Sequence, residues 1–464
     1  MNQHEHSVGA RRRLPGRGGS AGSGRWGTRP LVGVGLCLTA LAPTTAARAA
    51  SAPAPTQEEK APTIEERLSA LEKAAGSDTM RAYWKDGLRF ETADKRYKFR
   101  IGGRFQYDTT FFDPDADTRA AVESGSTRIE DGSEFRRARI EFSGEVGDRT
   151  EWYTAYDFGG GKPNFRGVYV GLKDLPFGNI RAGQMKEPFS LEQLTSSKNI
   201  PFIERSVKAA QDPAYNAGFL LFDQVLDERL TWAAGVFRAG TDDGEISKGD
   251  GEWNVTARVT GLPYYEEEGD DYVHLGLAGS QRNPTDELAS FSSKPESNLA
   301  PAYISLSNLP ADDVSLLGTE VAWVRGPLTV AGEYVMASVD APSGVAAEPD
   351  FDGYYVMASW FLTGEHRPYN KASGIFDGIK PAENAFGREH GYGAWEVLAR
   401  YSSLDLRDDG VDEGELTDLT LGLNWYLNPN TRVLLNYILA DLDPTEPAAD
   451  GTTSILGFRV QFAF

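Results

Sequence analysis

From Leu88 to Phe464 the chain alternates apolar and polar positions with a period of two. Tyr97, Phe99, Ile101, Gly103, Phe105 and Tyr107 interleave with Lys98, Arg100, Gly102, Arg104, Gln106 and Asp108. Neighbouring side chains of an extended strand point to opposite faces, so one face here is aromatic and aliphatic and the other charged. The pattern returns in Val255, Ala257 and Val259 against Asn254, Thr256 and Arg258. It returns again in Trp395, Val397, Ala399 and Tyr401 against Glu396, Leu398, Arg400 and Ser402. The last stretch sets Leu456, Phe458, Val460, Phe462 and Phe464 against Gly457, Arg459 and Gln461. A soluble sandwich would bury the apolar face in a core, whereas a membrane barrel turns it to lipid.

The spacing of these stretches predicts an all-β fold: a transmembrane antiparallel β-barrel of about 16 strands. Asn428-Pro429-Asn430 reads as a short turn. Residues 281–313, 340–352, 366–393 and 406–416 read as long loops at the opposite end. Three segments are expected: a signal peptide over 1–49, a linker with a short coiled-coil helix over 50–87, and the barrel over 88–464. The first carries Arg11, Arg12, Arg13, Arg17, Arg25 and Arg29, then an apolar stretch from Leu31 to Ala42 and small residues around Ala47-Arg48-Ala49. That order is the pattern of secretory targeting. Ile64, Leu68, Leu71 and Ala75 fall on one helical stripe, predicting a short amphipathic helix on the periplasmic side of the barrel.

Charge narrows the classes of function. The chain carries 47 Lys and Arg against 68 Asp and Glu, a net of −21, and removal of 1–49 leaves 40 against 67, a net of −27. Such a surplus disfavours nucleic acid as a partner. Cys37 is the only cysteine and falls in the expected signal peptide, so no disulfide, thiolate metal site or cysteine nucleophile is expected beyond it. The five histidines form no metal pair at short spacing, and no nucleophile elbow is recognisable. No catalytic residue, metal or cofactor is assigned. The acidic runs Glu266-Glu267-Glu268 with Asp270-Asp271, and Asp408-Asp409 with Glu413 and Glu415, read as solvated loops.

Four stretches in order resemble the phosphate-selective porin O/P family of outer-membrane channels. They are Glu134-Phe135-Arg136-Arg137-Ala138-Arg139-Ile140, Gly183-Gln184-Met185-Lys186-Glu187-Pro188-Phe189-Ser190, Leu194-Thr195-Ser196-Ser197-Lys198 with Phe202-Ile203-Glu204-Arg205, and Leu423-Asn424-Trp425-Tyr426-Leu427-Asn428-Pro429. The resemblance runs from about residue 85 to the C-terminus. It implies a 16-stranded barrel, three copies per assembly, and one loop folded inward to narrow each pore.

A porin's chemistry is charge placement in a wet passage. Strand alternation puts Arg100 and Arg104 on the polar face, with Arg137 and Arg139 beside Glu141; Arg136 is expected near a headgroup boundary. The stretch 186–205 is the candidate constriction, with Lys186, Lys198 and Arg205 facing Glu187, Glu192 and Glu204, and Ser196 and Ser197 offering hydroxyls. The pore and anion-binding set is therefore Arg100, Arg104, Arg137, Arg139, Lys186, Ser196, Ser197, Lys198 and Arg205. Arginine suits an oxyanion because its fork bonds two oxygens at once. An alternative is that these arginines pair with Asp108, Glu141 and Asp157 and only brace the wall. The readings that follow are a channel for small anions such as phosphate, a general or weakly cation-selective porin, or a structural or adhesive barrel with a closed pore. Expected partners are outer-membrane lipids, small anionic solutes, two further copies in a homotrimer, and the barrel assembly machinery, which would read the terminal Phe464.

Overall fold

The computed structural model describes residues 63–67, 79–161, 163–238, 253–344, 347–387, 391–445 and 448–464. The expected signal peptide and most of the expected helix lie outside them; a single helical turn covers 64–67. Among the described residues, eighteen strands share one antiparallel sheet. Sixteen of these close on themselves, from Tyr97–Pro114 to Gly451–Ala463, with Thr453 opposite Pro114 and Ala463 opposite Arg104 at the seam. Closure pairs the first barrel strand with the last, which is what a strand-built membrane protein needs when lipid offers no hydrogen bonds.

The other two strands, Met80–Trp84 and Leu88–Thr92, form a hairpin, so strand structure begins ahead of Leu88. The final strand stops at Arg104's level, leaving the lower edge of Tyr97–Pro114 without a partner. The hairpin covers that edge, pairing Leu88 with Ile101 through to Glu91 with Lys98. Phe464 completes the closure: its N–H donates to the Gly103 carbonyl at 3.0 Å, and the Gly103 N–H donates back at 2.8 Å. Its ring stacks on Trp84 at 6.1 Å.

Alternation sorts the faces as the sequence pattern requires. Phe105, Tyr107, Val255, Val259, Leu275, Leu277, Tyr401 and Phe458 are exposed on the outside, while Arg104, Gln106, Asp108, Arg258, Arg400 and Arg459 are buried inside. The lumen is thus lined by charge and the lipid face by apolar groups.

Three segments fold into or over that lumen. Residues 187–214 follow the strand Gly178–Lys186 and turn inward through a short helix, Leu191–Leu194, capped by Ser190. Residues 283–312 enter from the same end and carry a two-stranded hairpin, Leu288–Ser293 with Ile304–Pro310. Phe291 packs edge-on against Phe351 at 5.5 Å, and the Ser293 hydroxyl donates to the Val207 carbonyl at 3.2 Å.

Residues 362–387 and 391–393 correct the reading of 366–393 as a loop at the long-loop end. They lie not with the long loops but at the opposite end, between Asp350–Phe361 and Ala394–Asp408, where the other connections are tight turns. From there they rise into the barrel: Gly374, left-handed at φ 62°, sits against Thr260 and Arg258, and its carbonyl accepts from Arg258 at 2.8 Å. The stretch 406–416 is also not a loop. Strands run to Asp408 and from Val411, with a two-residue turn between. Arg407 meets Asp405 on its own strand and Glu415 and Asp443 on the next two, so of that acidic run Glu415 is paired within the sheet while Asp408 and Asp409 stay exposed.

Candidate pore constriction

The inward loop 187–214 is fastened to one side of the barrel by ion pairs. Arg459 holds Asp108 with two bonds of 2.6 Å, and also bonds Glu204 at 2.7 Å and the Ile203 carbonyl. Arg400 bonds Glu192 at 2.9 Å and the Glu204 carbonyl at 3.0 Å, lies over the Phe202 ring at 4.1 Å, and pairs with Glu296 of the second inward loop. Lys208 joins Asp212 at 2.9 Å and Glu333 at 3.1 Å. Burial works against the Lys208 charge, but these two carboxylates outweigh it and hold its pKa above the ordinary lysine value.

Opposite that clamp the loop stands off the wall, leaving a cavity of about 410 Å³. Here the structure gathers most of the predicted set: Arg104, Arg137, Arg139, Lys186, Ser196, Ser197 and Arg205. Arg100 and Lys198 line a second cavity of about 690 Å³ nearer the turn end. Arg100 is tied there to the Asp86 carbonyl at 2.6 Å and the Phe464 carbonyl at 3.1 Å.

Both sequence readings of the arginines find a counterpart. Arg104 pairs with Glu141 and also donates to Ser197 Oγ at 2.8 Å and Ser196 Oγ at 3.1 Å. Arg139 pairs with Asp157 at 2.9 Å. Arg137 instead donates to Gln106 at 2.7 Å, with Glu204 no nearer than 3.6 Å.

The expected facing of Lys186, Lys198 and Arg205 against Glu187, Glu192 and Glu204 is not the arrangement found. The three carboxylates turn to other groups: Glu187 to Asn216, Thr256 and Arg282, Glu192 to Ser206 and Arg400, Glu204 to Arg136 and Arg459. Arg205 donates to the Glu192, Gln193 and Thr195 carbonyls at 3.0, 3.1 and 3.1 Å, and Lys186 to the Gln193 carbonyl. Backbone carbonyls satisfy these donors without bringing a matching negative charge beside them.

Arg136 is a second correction. The ladder between Tyr97–Pro114 and Gly132–Val146 pairs Gln106 with Arg137 but Tyr107 with Phe135, leaving Arg136 unopposed. Such a bulge re-aims a side chain, and Arg136 points inward, bonding Glu204 at 2.9 and 3.2 Å. Burial alone would raise the Glu204 carboxyl, but Arg136, Arg137 and Arg459 hold it well below the usual carboxylate range. Sequence reasoning also left out Arg166, Tyr153, Tyr169 and Tyr215, which line the same cavity.

The family model for phosphate-selective porin O and P matches residues 99–464. The chain is 27% identical over 431 residues to Porin O of Pseudomonas aeruginosa, covering 82% of this chain and 91% of that one. It is 26% identical over 395 residues to an uncharacterised protein of Caulobacter vibrioides, covering 82% of this chain and 76% of that one. Among solved structures, the outer-membrane channel DcaP of Acinetobacter baumannii is similar in fold, with a TM-score of 0.51 at 11% identity over 81% of this chain and 99% of that one. With a closed sixteen-stranded barrel, an apolar outer face, a charged lumen and this match along the barrel, the chain belongs to the phosphate-selective porin O and P family and is a channel of the bacterial outer membrane.

Proposed function

We propose that the protein is an anion-selective diffusion channel, favouring small oxyanions such as phosphate, and that it works as a homotrimer. The observation that carries this reading is the charge balance of the constriction. Seven cationic side chains line the 410 Å³ cavity (Arg104, Arg136, Arg137, Arg139, Arg166, Lys186 and Arg205), against Asp157 on its surface and Glu141 and Glu204, which pair with Arg104 and Arg136 at its edge. That local surplus opposes the −21 of the whole chain. The field at a narrow passage is set by the groups that line it, because low-dielectric walls focus it there.

An anion entering the cavity exchanges part of its hydration for guanidinium and hydroxyl donors. Arg136 and Arg137 are adjacent in sequence and both inward, so their forks offer several N–H groups to one oxyanion. Ser196 and Ser197, already bonded to Arg104, add neutral donors at the same level. Binding stays shallow enough for release because each arginine is shared with a fixed protein acceptor. Arg100, Lys198 and Lys380 continue the basic lining into the turn-end cavity, where Asp86, Glu365 and Asp377 dilute it. Membership of a family named for phosphate and similarity to a protein named Porin O support the same solute class. The trimer rests on the family resemblance.

The test is the zero-current potential of the purified protein in planar bilayers across a potassium chloride gradient, followed by titration with phosphate. An anion-selective potential with block by low phosphate is expected. A cation-selective potential would instead establish a general porin dominated by its acidic surplus, and absence of conductance would leave a structural barrel.

A further inference from the structure

A third cavity, of about 280 Å³, adjoins the constriction and differs from it in chemistry. The two share a rim of Tyr153, Arg166, Tyr169, Lys186, Leu194 and Tyr215. Past the rim the wall turns largely apolar, with Met185, Leu220, Phe222, Trp232 and Ile375, and with Asp223 and Thr231 among its polar members. Pro188 and Leu194 of the clamped loop border it on one side, and Ala372, Ser373 and Ile375 of the segment rising from the turn end border it on the other. Met185 and Leu220 of that wall are buried, while Tyr169, Leu194, Phe222 and Ile375 are half-buried. A lumen that passes only hydrated inorganic ions has no use for such a surface, since porin interiors are polar.

The cations around this slot sort into fixed and available. Arg181 lies over the Tyr169 ring at 4.7 Å and the Phe222 ring at 4.4 Å, and Glu151 holds it at 2.7 Å. Tyr153 stacks on Tyr169 at 5.5 Å, extending this cation–aromatic wall toward the constriction. Arg258 is occupied by Glu320. Lys186 differs: its ammonium bonds the Gln193 carbonyl, lies 5.8 Å from the Tyr215 ring, and meets no carboxylate within ion-pair distance among the described residues. The slot therefore places at its mouth a lysine amine with no carboxylate partner among the described residues, and in its depth aromatic and aliphatic surface beside Asp223. Ligand sites with apolar walls and a few convergent polar groups select molecules that match both parts.

We propose that this slot is a binding site for aryl oxyanions: small aromatic rings carrying one carboxylate or phosphate group, the anionic end at Lys186 and the ring against Phe222, Met185 and Leu220. The assignment rests on the anion-channel reading and narrows it, because the organic anion reaches the slot through the basic constriction. Rings stack or meet edge to face with neighbouring aromatics, and a positively charged mouth orients the molecule ring-first. An aliphatic anion of the same charge meets the cation but leaves the apolar wall unused.

The experiment compares block of chloride current by benzoate and by acetate in single-channel recordings, after the zero-current potential has been measured on the same preparation. Benzoate is expected to block at about tenfold lower concentration than acetate, equivalent to about 1.4 kcal/mol. Phe222→Ala should erase the difference while leaving chloride conductance in place, and Phe222→Leu, which keeps the apolar volume and guards against a folding defect, should reduce it. Lys186→Gln should weaken block by both anions. Equal block by benzoate and acetate in an anion-selective channel would overturn the aryl site alone, as would a benzoate preference that survives both Phe222 variants. A cation-selective potential would overturn the underlying reading before any blocker is added.

Discussion

Residues 187–214 turn two faces to the barrel, and the same residue types serve opposite purposes on them. Toward the strands Leu328–Asp340, Ala394–Asp408 and Gly451–Ala463, each clamp cation meets carboxylates: Lys208 with Asp212 and Glu333, Arg400 with Glu192 and Glu296, Arg459 with Asp108 and Glu204. Toward the strands Gly132–Val146 and Gly178–Lys186, cations outnumber carboxylates and a 410 Å³ cavity separates loop from wall. What divides bracing from solute handling is the supply of carboxylates within reach, since arginine is plentiful on both sides. A buried cation with a matched carboxylate is spent on holding the fold; one satisfied by carbonyls or amides keeps its field for a passing ion.

The clamped face yields the largest expected effect. Arg459→Leu removes the shared partner of Asp108 and Glu204 and leaves two buried carboxylates without it. Breaking a buried pair by removing one member costs about 3–5 kcal/mol. Refolding titrations in urea and detergent should register that loss as a lower midpoint. Single-channel conductance should rise and fluctuate, because the loop's Ile203–Glu204 corner is held to the wall by that guanidinium. An unchanged midpoint with unchanged conductance would show that the loop stays in place without the clamp.

Much of this contrast was legible in the sequence, and its failures have physical causes. Period-two alternation placed Arg104, Arg137 and Arg139 in the lumen because pleating leaves no other choice once Phe105 and Ala138 face lipid. Arg136 escaped because a bulge is a property of the pairing with Tyr107 and Gln106, not of its own strand. The stretch 366–393 resembles the long loops in length and composition. Which end of the barrel a connection occupies depends on how many strands precede it, and a composition of Gly, Pro and charge says nothing of that. The division of labour among cations was equally hidden. Arg205 and Arg459 look alike in sequence, yet one donates to three loop carbonyls and the other grips two carboxylates from distant elements.

The open face is expected to respond in selectivity and hardly in stability. Arg137→Gln removes a charge whose one carboxylate partner among the described residues, Glu204, stands 3.6 Å away and keeps the closer pairs to Arg136 and Arg459. At the effective dielectric of a partly buried site this is worth on the order of 1 kcal/mol to an anion at the constriction. The chloride-over-potassium permeability ratio should fall several-fold, with an unfolding midpoint close to that of the parent. Arg136→Gln should do the same if the bulge delivers that side chain to the pore. A ratio untouched by Arg136→Gln alone would return it to a purely structural role as Glu204's partner.

Glu204 touches both faces, through Arg459 on one and Arg136 on the other, so its neutralisation separates them most finely. Glu204→Gln keeps hydrogen-bonding atoms at that place but withdraws a negative charge beside the constriction. The permeability ratio should therefore rise, opposite in sign to the arginine variants, while stability drops by about 1–3 kcal/mol as the charge-assisted bonds to Arg459 and Arg136 become neutral ones.

The pH dependence gives the smallest effect and the sharpest check on why Glu204 carries charge at all. Its pKa in the folded protein is depressed well below the ordinary value by Arg136, Arg137 and Arg459. A depressed carboxylate contributes stability that is fully present above its unfolded pKa of about 4.3 and is lost only as pH falls through the lower folded value. Between about pH 8 and pH 5 the side chain therefore stays ionised in the channel. The difference in zero-current potential between the parent and Glu204→Gln, measured across one potassium chloride gradient, should be constant over that range. Subtracting the variant removes whatever pH dependence the two proteins share. A difference that shrinks toward zero between pH 6 and pH 5 would mean that Glu204 takes up a proton there, as a buried carboxyl without its arginines would, and that the two faces of the loop are not joined through it.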